Sequence, residues 1–413
     1  MLTKPELIAP AGDLEKLKIA FQYGADSVYA STPKFSMRTR EISFTHESLA
    51  EGIAYAHNLG KKVYLTLNIY PHSSQIPDML AHADITAALK PDAIIVADPG
   101  IFQYMREQYP DISLHLSTQA NTTNHLTANF WHKLGADRVV LAREMSMEDI
   151  KIAADNSPIH LECFVHGSMC MAYSGRCQIS NYMTGRDPNQ GVCAQACRYK
   201  YTMHEVTEEK RPDEQYPVYE DEHGTYIFNS KDLCMINHIS ELVAAGVDSF
   251  KIEGRLKSQY YLASVVRAYR AAIDLYFEDP AAYAAQADER TEEMAKVASR
   301  SYTTGSFFHK PNEESNNYET TRTSSDWIYA AIVTDYNPET GQATLAGRNQ
   351  LFFEDSPNIE IITPNGIIKQ TVTSVIKDDI SVSIVNPNDI VLLTTAAPVE
   401  VNCFVRMEKR RGV

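Results

Sequence analysis

Apolar and polar positions repeat along the first two-thirds of the chain in a steady rhythm: a short apolar run, a longer amphipathic stretch, then the next apolar run. Glu6–Gly12 reads as a strand ending in a turn, followed by an amphipathic helix over about 13–23. Further strands are predicted at Ser27–Ala30, Lys62–Asn68, Ala93–Ala97, Ser113–Ser117, Arg138–Ala142, His160–Val165 and Ser249–Glu253. A helix is expected near 46–59 and a closing helix at about 257–277. Apolar runs separated by helical stretches indicate buried parallel strands in βαβ units. Eight of them predict an α/β fold of the TIM-type (β/α)8 barrel rather than an open doubly wound sheet.

Three short echoes support that count: Tyr23-Gly-Ala-Asp26, Leu134-Gly-Ala-Asp137 and Ala245-Gly-Val-Asp248. Each places a glycine at the end of a helix, where it supplies a left-handed cap before the next strand. The first two precede the second and sixth strands, four units apart, as a barrel of two halves requires. The rhythm breaks between the seventh and eighth strands, where an insertion of about 166–235 replaces a single loop and helix. Within it, Tyr199–Val206 and Thr225–Asn229 are expected to form a hairpin around the charged loop Glu208–Glu222. Insertions after barrel strands lie on the C-terminal face, where βα loops build active sites. The barrel is thus expected over 1–308 and a polar linker over 309–325. Residues 326–413 read as a small antiparallel β-barrel, from alternating runs at Ile328–Thr334, Gln342–Ala346, Ile359–Ile362, Ile380–Ile384 and Ile390–Leu393.

Composition narrows the class. A hydrophobic content of 44% and a charged content of 22% suit a soluble globular protein. The start Met1–Ile8 has no apolar signal region, and no apolar run approaches the ~20 residues of a membrane span. A cytoplasmic location is therefore expected, where thiols stay reduced and can bind metal. The net charge of −15 argues against broad non-specific binding to nucleic acid. Positive charge is nevertheless concentrated locally: Arg176, Arg186, Arg198 and Lys200 all fall in the insertion. A second basic stretch, Arg406–Arg411, ends the β domain and is expected to help that domain hold RNA.

The candidate chemistry is in the cysteines. Cys170, Cys177, Cys193, Cys197 and Cys234 all lie in the insertion, and only Cys163 and Cys403 lie outside that cluster. Six residues separate Cys170 from Cys177, fifteen separate Cys177 from Cys193, and forty separate Cys193 from Cys234. Structural zinc sites usually contain a tight Cys-x2–4-Cys pair, which only Cys193-x3-Cys197 resembles. Dispersed thiolates suit a 4Fe–4S cluster, which needs four soft ligands around a compact cube. Iron–sulfur, zinc and incidental cysteines all stay open on spacing alone. Cys163 lies inside a strand and reads as a small buried hydrophobe, as does Cys403. Cys234 is expected where the segment Ser230-Lys-Asp-Leu233 starts a helix, whose N-terminus would favour thiolate.

The stretches Glu162-x-Phe-x-x-Gly-Ser-Met-Cys170 and Gly175-x-Cys-x-Ile-Ser180 resemble the signature of the collagenase-like peptidase family U32. So do Ala9-Pro-Ala-Gly-Asp13, Gly185–Gly191, Cys197-Arg198 and Lys251-Ile-Glu-Gly-Arg255. The resemblance runs from the N-terminus to about residue 300, and the tail resembles the family's C-terminal β domain. It implies oxygen-independent hydroxylation with a 4Fe–4S cluster, and the overall length is most similar to members acting on tRNA. Those make 5-hydroxyuridine at the wobble position and depend on prephenate, a dicarboxylate metabolite. Carried over by position, the cluster ligands fall on Cys170, Cys177, Cys193 and Cys234, with Cys197 able to replace Cys193. tRNA, a small dicarboxylate and a related subunit are the partners the resemblance allows; peptidase activity is the family's other implied reading.

Holding a dicarboxylate or a phosphate requires fixed cations, and the arginine fork pairs either with two hydrogen bonds. Arg176, Arg186 and Arg198 are candidates for the chemistry, with Arg255 and Lys251 for binding; His166 is a candidate acid–base residue or a support for the cysteine loop. Lys251 and Glu253 alternate along one strand and so face the same way. Asn68, Gln119 and Asn121 end strands with uncharged donors and acceptors suited to a nucleobase edge. Tyr173 and Tyr182 flank Cys177 and offer rings for a flipped base.

Overall fold

The computed structural model describes residues 3–36, 44–170, 172–198, 230–297, 299–310, 325–353 and 357–409, together with short strands between 207 and 225. The expected hairpin of 199–206 with 225–229 lies outside the described residues except for Thr225, which pairs with Glu220.

Eight parallel strands close into a ring. They are β1 (Glu6–Ala11), β2 (Ser27–Ser31), β3 (Lys62–Leu67), β4 (Ala93–Val96), β5 (Ser113–Leu116), β6 (Arg138–Val140) and β7 (His160–Ser168), followed beyond β8 (Asp232–Cys234) by β9 (Ser249–Ile252). Strand β9 closes the ring, pairing with β1 through Glu6↔Ser249 and with β7 through Glu162↔Ser249. Outside the ring run α1 (Leu14–Gln22), α2 (His46–Asn58), α3 (Ile76–Ala88), α4 (Pro99–Gln108), α5 (His125–Lys133) and α6 (Met147–Asp155). Helix α7 (Ile179–Thr184) belongs to the insertion; α8 (Ile239–Ala244) and α9 (Gln259–Glu278) complete the shell. The eight strands match the sequence expectation.

Alternation along each strand sorts the residues. Leu7, Ala9, Val28, Val63 and Leu65 join the main apolar core with the helices, whereas Ile8, Tyr29, Tyr64, Ala93 and Ile95 form a separate cluster inside the ring. A column of charge shares that interior. Arg138 bonds Glu6 and, at 3.1 Å, Glu162; Lys251 bonds Glu162 at 2.7 Å. Opposite charges placed in series compensate for the loss of water around each.

The three glycine echoes do more than cap helices. Gly24, Gly135 and Gly246 all have positive φ. The aspartate two residues on then accepts the amide of the second residue of the adjacent strand: Asp26 from Leu7 at 3.0 Å, Asp137 from Leu114 at 3.0 Å and Asp248 from Leu161 at 2.8 Å. Each repeat therefore fastens the start of one strand to its neighbour.

Strand β7 carries a bulge. Lys251 pairs with Phe164 and Ile252 with His166, so Val165 is skipped. One extra residue reverses the side-chain alternation. Beyond it, β7 continues as the partner of β8, antiparallel, with Cys234 opposite His166; β10 (Tyr302–Thr303) pairs with β8 in turn. The expectation that Cys234 starts a helix is thus corrected. Asp232–Cys234 is a strand because the extension of β7 offers it a free ladder, and α8 begins only at Ile239.

The C-terminal domain is antiparallel. Its sheet runs in the order Gly366–Thr371, Asn358–Thr363, Phe404–Glu408, Trp327–Asn337, Gln342–Gly347, Ile390–Thr394, Val375–Lys377, Ile380–Val382. Sequence reasoning missed Phe404–Glu408, which lies near the middle. Arg406 was expected in an RNA-holding tail; instead it is fully buried, bonded to Glu360 at 2.5 Å and to Glu293 beside α9. Lys409 is exposed, and 410–413 lie outside the described residues. The hydroxyl of Tyr23, which caps α1, shares its one proton between Ile362 O at 2.9 Å and Asn402 O at 2.8 Å, and Tyr260 of α9 stacks on Tyr329 at 5.2 Å. The two domains share an apolar core through Ile332, Ile362 and Phe404. Among the described residues no helix is long and apolar enough to cross a membrane.

Candidate active site

A cavity of about 150 Å³ opens at the C-terminal ends of the barrel strands. Its floor is built by residues at or just after those ends: Thr66, Asn68, Ser117, Gln119, Arg143, Phe164, Lys251, Glu253 and Arg255. The insertion supplies the roof, through Cys170, Tyr173, Gly175, Cys177, Cys193 and Cys197. The two halves come from distant parts of the chain, so the roof must be fastened to the floor.

Gly175 makes that fastening possible. It has φ +69°, and a Cβ there would lie 2.1 Å from the carbonyl oxygen of Gln119. Only glycine allows the cysteine loop to rest directly on the loop after β5. Tyr70 donates to the same Gln119 oxygen at 2.7 Å, and Gln190 of the insertion donates to Tyr70 O. Glu144 accepts the Ser174 amide and, at 3.2 Å, its hydroxyl. Arg186 donates from Nε to Val192 O at 2.9 Å and from an Nη to Cys193 O at 3.4 Å, shaping the turn that carries Cys193.

Cys170, Cys177, Cys193 and Cys197 all line this cavity. Cys234 does not; it lies on β8 with its Sγ 4.0 Å from the Tyr269 hydroxyl, and burial pushes its thiol up to about 11. Among the described residues no three Cys, His, Asp or Glu side chains meet closely enough to hold a single metal ion. A 4Fe–4S cube spreads its ligands more widely than a single ion does, and a cavity walled by four thiols has the soft donors such a group needs. Cys163 is buried in β7 and Cys403 in the β domain, both with raised thiol pKa from burial.

The other candidates divide between cavity and scaffold. Asn68 lines the cavity and donates to Ser117 Oγ at 3.1 Å; Gln119 also faces it. Asn121 turns away, toward Glu144 at 3.5 Å. Lys251 lines the cavity while paired with Glu162, and burial lowers its pKa against the opposing pull of that carboxylate. Arg255 reaches Ser31 and, at 3.4 Å, Thr66, with its guanidinium 5.4 Å from the Tyr29 ring centre. Glu253 also lines the cavity, its amide donating to His166 O at 2.8 Å. His166 itself is outside the cavity. The bulge turns it among Tyr261, Tyr269 and Tyr302, with ring centres at 6.0, 5.5 and 5.4 Å, and burial lowers its pKa to about 3. It is therefore neutral at physiological pH. Arg176 is exposed and reaches its neighbour Gly175 O at 3.2 Å; the side chain of Arg198 lies outside the described residues.

Sequence reasoning missed Arg143, Glu144 and Tyr70. Arg143 follows directly on the predicted strand Arg138–Ala142, one place beyond the strand-end position that singled out Asn68, so strand ends were the signal that would have found it.

The profile of peptidase family U32 matches residues 12–317. This chain belongs to peptidase family U32. Among its relatives in the family, tRNA hydroxylation protein P of Haemophilus influenzae is 40% identical over 406 residues, covering 88% of this chain and 87% of that protein. The Escherichia coli protein of the same name is 39% identical over 414 residues, covering 89% and 88%. A third relative, the 23S rRNA 5-hydroxycytidine C2501 synthase of Escherichia coli, is 34% identical over 287 residues, covering 70% of this chain and 42% of that protein.

Proposed function

We propose that this chain is an RNA hydroxylase that converts a tRNA wobble uridine to 5-hydroxyuridine without molecular oxygen, using a 4Fe–4S cluster and prephenate as co-substrate. The observation that carries the reading is the convergence of Cys170, Cys177, Cys193 and Cys197 on one cavity at the barrel's C-terminal face. Relatives matching nearly the whole chain are named for tRNA hydroxylation, and a more distant one for hydroxylated cytidine in rRNA; both names support RNA hydroxylation. Cys170, Cys177 and Cys193 would hold the cluster, with Cys234 as the fourth ligand by family resemblance and Cys197 as its rival by position. When bound, such a cluster supplies electron transfer beside the substrate.

The chain's own residues would bind and orient. A base in a single-stranded loop can leave its stack and enter a pocket. Asn68, Ser117 and Gln119 present neutral donors and acceptors to a pyrimidine edge, which a charged wall would not do selectively. Tyr173 lines the cavity at 65% exposure and Tyr182 on α7 is 91% exposed, and both rings would be open to stacking by flanking bases. Phe164 and Tyr29 would give the floor two apolar ring faces.

The geometry disfavours the family's peptidase reading. A Cys170–His166 dyad would need the imidazole beside the thiol, but the ring is buried among tyrosines away from the cavity. No histidine is among the described residues that line it. Nucleoside analysis of tRNA from a strain lacking this gene and any paralogue tests the proposal: 5-hydroxyuridine and its derivatives should disappear and return with the intact gene. Unchanged levels would refute it.

A further inference from the structure

Arg143 is the cavity cation that the barrel does not use. It is half-buried on the loop after β6, with its guanidinium 4.0 Å from the centre of the Phe164 ring and one Nη 4.0 Å from Cys170 Sγ. Among the described residues no carboxylate lies within ion-pair distance of it, whereas its neighbour Glu144 is spent on Ser174. Lys251 approaches the same ring at 5.6 Å but is committed to Glu162. A half-buried guanidinium over an aromatic ring, with one weak contact to a thiol, still has donors to offer an anion.

We propose that Arg143 is the residue that binds the carboxylate of a small organic acid in this cavity. The proposal rests on the co-substrate reading above and adds the contact that selects for it. Phe164 supplies an apolar face for the acid's carbon skeleton, and Lys251 adds longer-range positive charge without competing for the fork. The neutral wall of Asn68 and Gln119 is left for the base.

The test is calorimetric binding of prephenate, and of a panel of simple mono- and dicarboxylates, to full-length protein purified anaerobically with its iron counted. Arg143→Gln should weaken carboxylate binding about 10- to 100-fold, as expected for loss of a charge-assisted contact. Iron content, melting temperature and tRNA affinity should stay at wild-type values, and Arg143→Lys should recover part of the loss. Binding of another carboxylate through Arg143, with prephenate ignored, would replace the co-substrate and leave the residue's role standing. Wild-type protein that binds no carboxylate overturns the proposal. So does an Arg143→Gln variant that binds carboxylates normally, or one whose tRNA affinity falls instead, which would make the anion a phosphate.

Discussion

Lys251 and Glu162 face each other across the seam where β9 meets β7, Nζ to Oε1 at 2.7 Å, with 4% and 0% of their side chains exposed. Removing one member of a buried pair strands the other's charge, at a cost of about 3–5 kcal/mol. Glu162 serves two cations and Lys251 one anion, so the two positions should not be equivalent. Glu162→Gln should destabilise more than Lys251→Met in guanidinium unfolding, and the double variant should recover part of the loss. Equal costs for the two single variants would show that Arg138 does not share Glu162.

Gly175→Ala should lift the cysteine loop from the floor. A methyl group 2.1 Å from Gln119 O cannot be accommodated without backbone movement, and φ +69° adds strain. A loss of about 1–3 kcal/mol is expected. Because the strain is local, protease cleavage within 170–198 should rise more than the melting temperature falls.

Iron counted in anaerobic preparations should fall in Cys170→Ser, Cys177→Ser and Cys193→Ser and stay normal in Cys163→Ser and Cys403→Ser. Cys197→Ser and Cys234→Ser form the deciding comparison: the cavity lining favours Cys197 and family resemblance favours Cys234. Stoichiometric zinc without iron in the wild-type protein would end the cluster reading.

Docking of the β domain should weaken in acid. Burial acts to raise the Glu360 carboxyl pKa, but the hydrogen bond from Lys296 and the charge of Arg406 outweigh it, so the net shift is downward. A depressed carboxylate stabilises the folded state above its ordinary range and loses that contribution as pH falls through the folded value. The change is therefore expected below about pH 4.3. Trp327 lies 4.5 Å from Lys296 Nζ and 5.4 Å from Arg406, so its emission reports the event in a Trp131→Phe background. A Glu360→Gln variant should lose the acid transition.

The barrel was legible because its signal is local. Each strand is a short run bracketed by its own turn, and Gly24, Gly135 and Gly246 marked three strand starts that the aspartates then fasten. The β domain was harder: Phe404–Glu408 has a charge at its centre, and what neutralises Arg406 lies 46 residues away at Glu360 and 113 away at Glu293. The candidate site was legible where chemistry is written in residue type, as in the cysteines and Asn68. It was not where orientation decides. His166 was placed by a one-residue bulge that no composition reveals, and Arg186 turned to two carbonyls of its own loop.

The seam between the two domains bears on how this protein can be dissected. Tyr23, Tyr260 and the Glu293 carboxylate are barrel groups that each reach into the β domain, to Ile362, Tyr329 and Arg406. Excising residues 326–413 would leave an apolar face on the barrel and take one of the two arginines, Arg406 and Arg267, that hold Glu293. A truncated chain should therefore be poorly soluble, and weakened RNA binding by it would report a damaged barrel as much as a missing contact. Single exposed positions on the β domain, such as Lys409, are the cleaner way to ask whether that domain touches RNA.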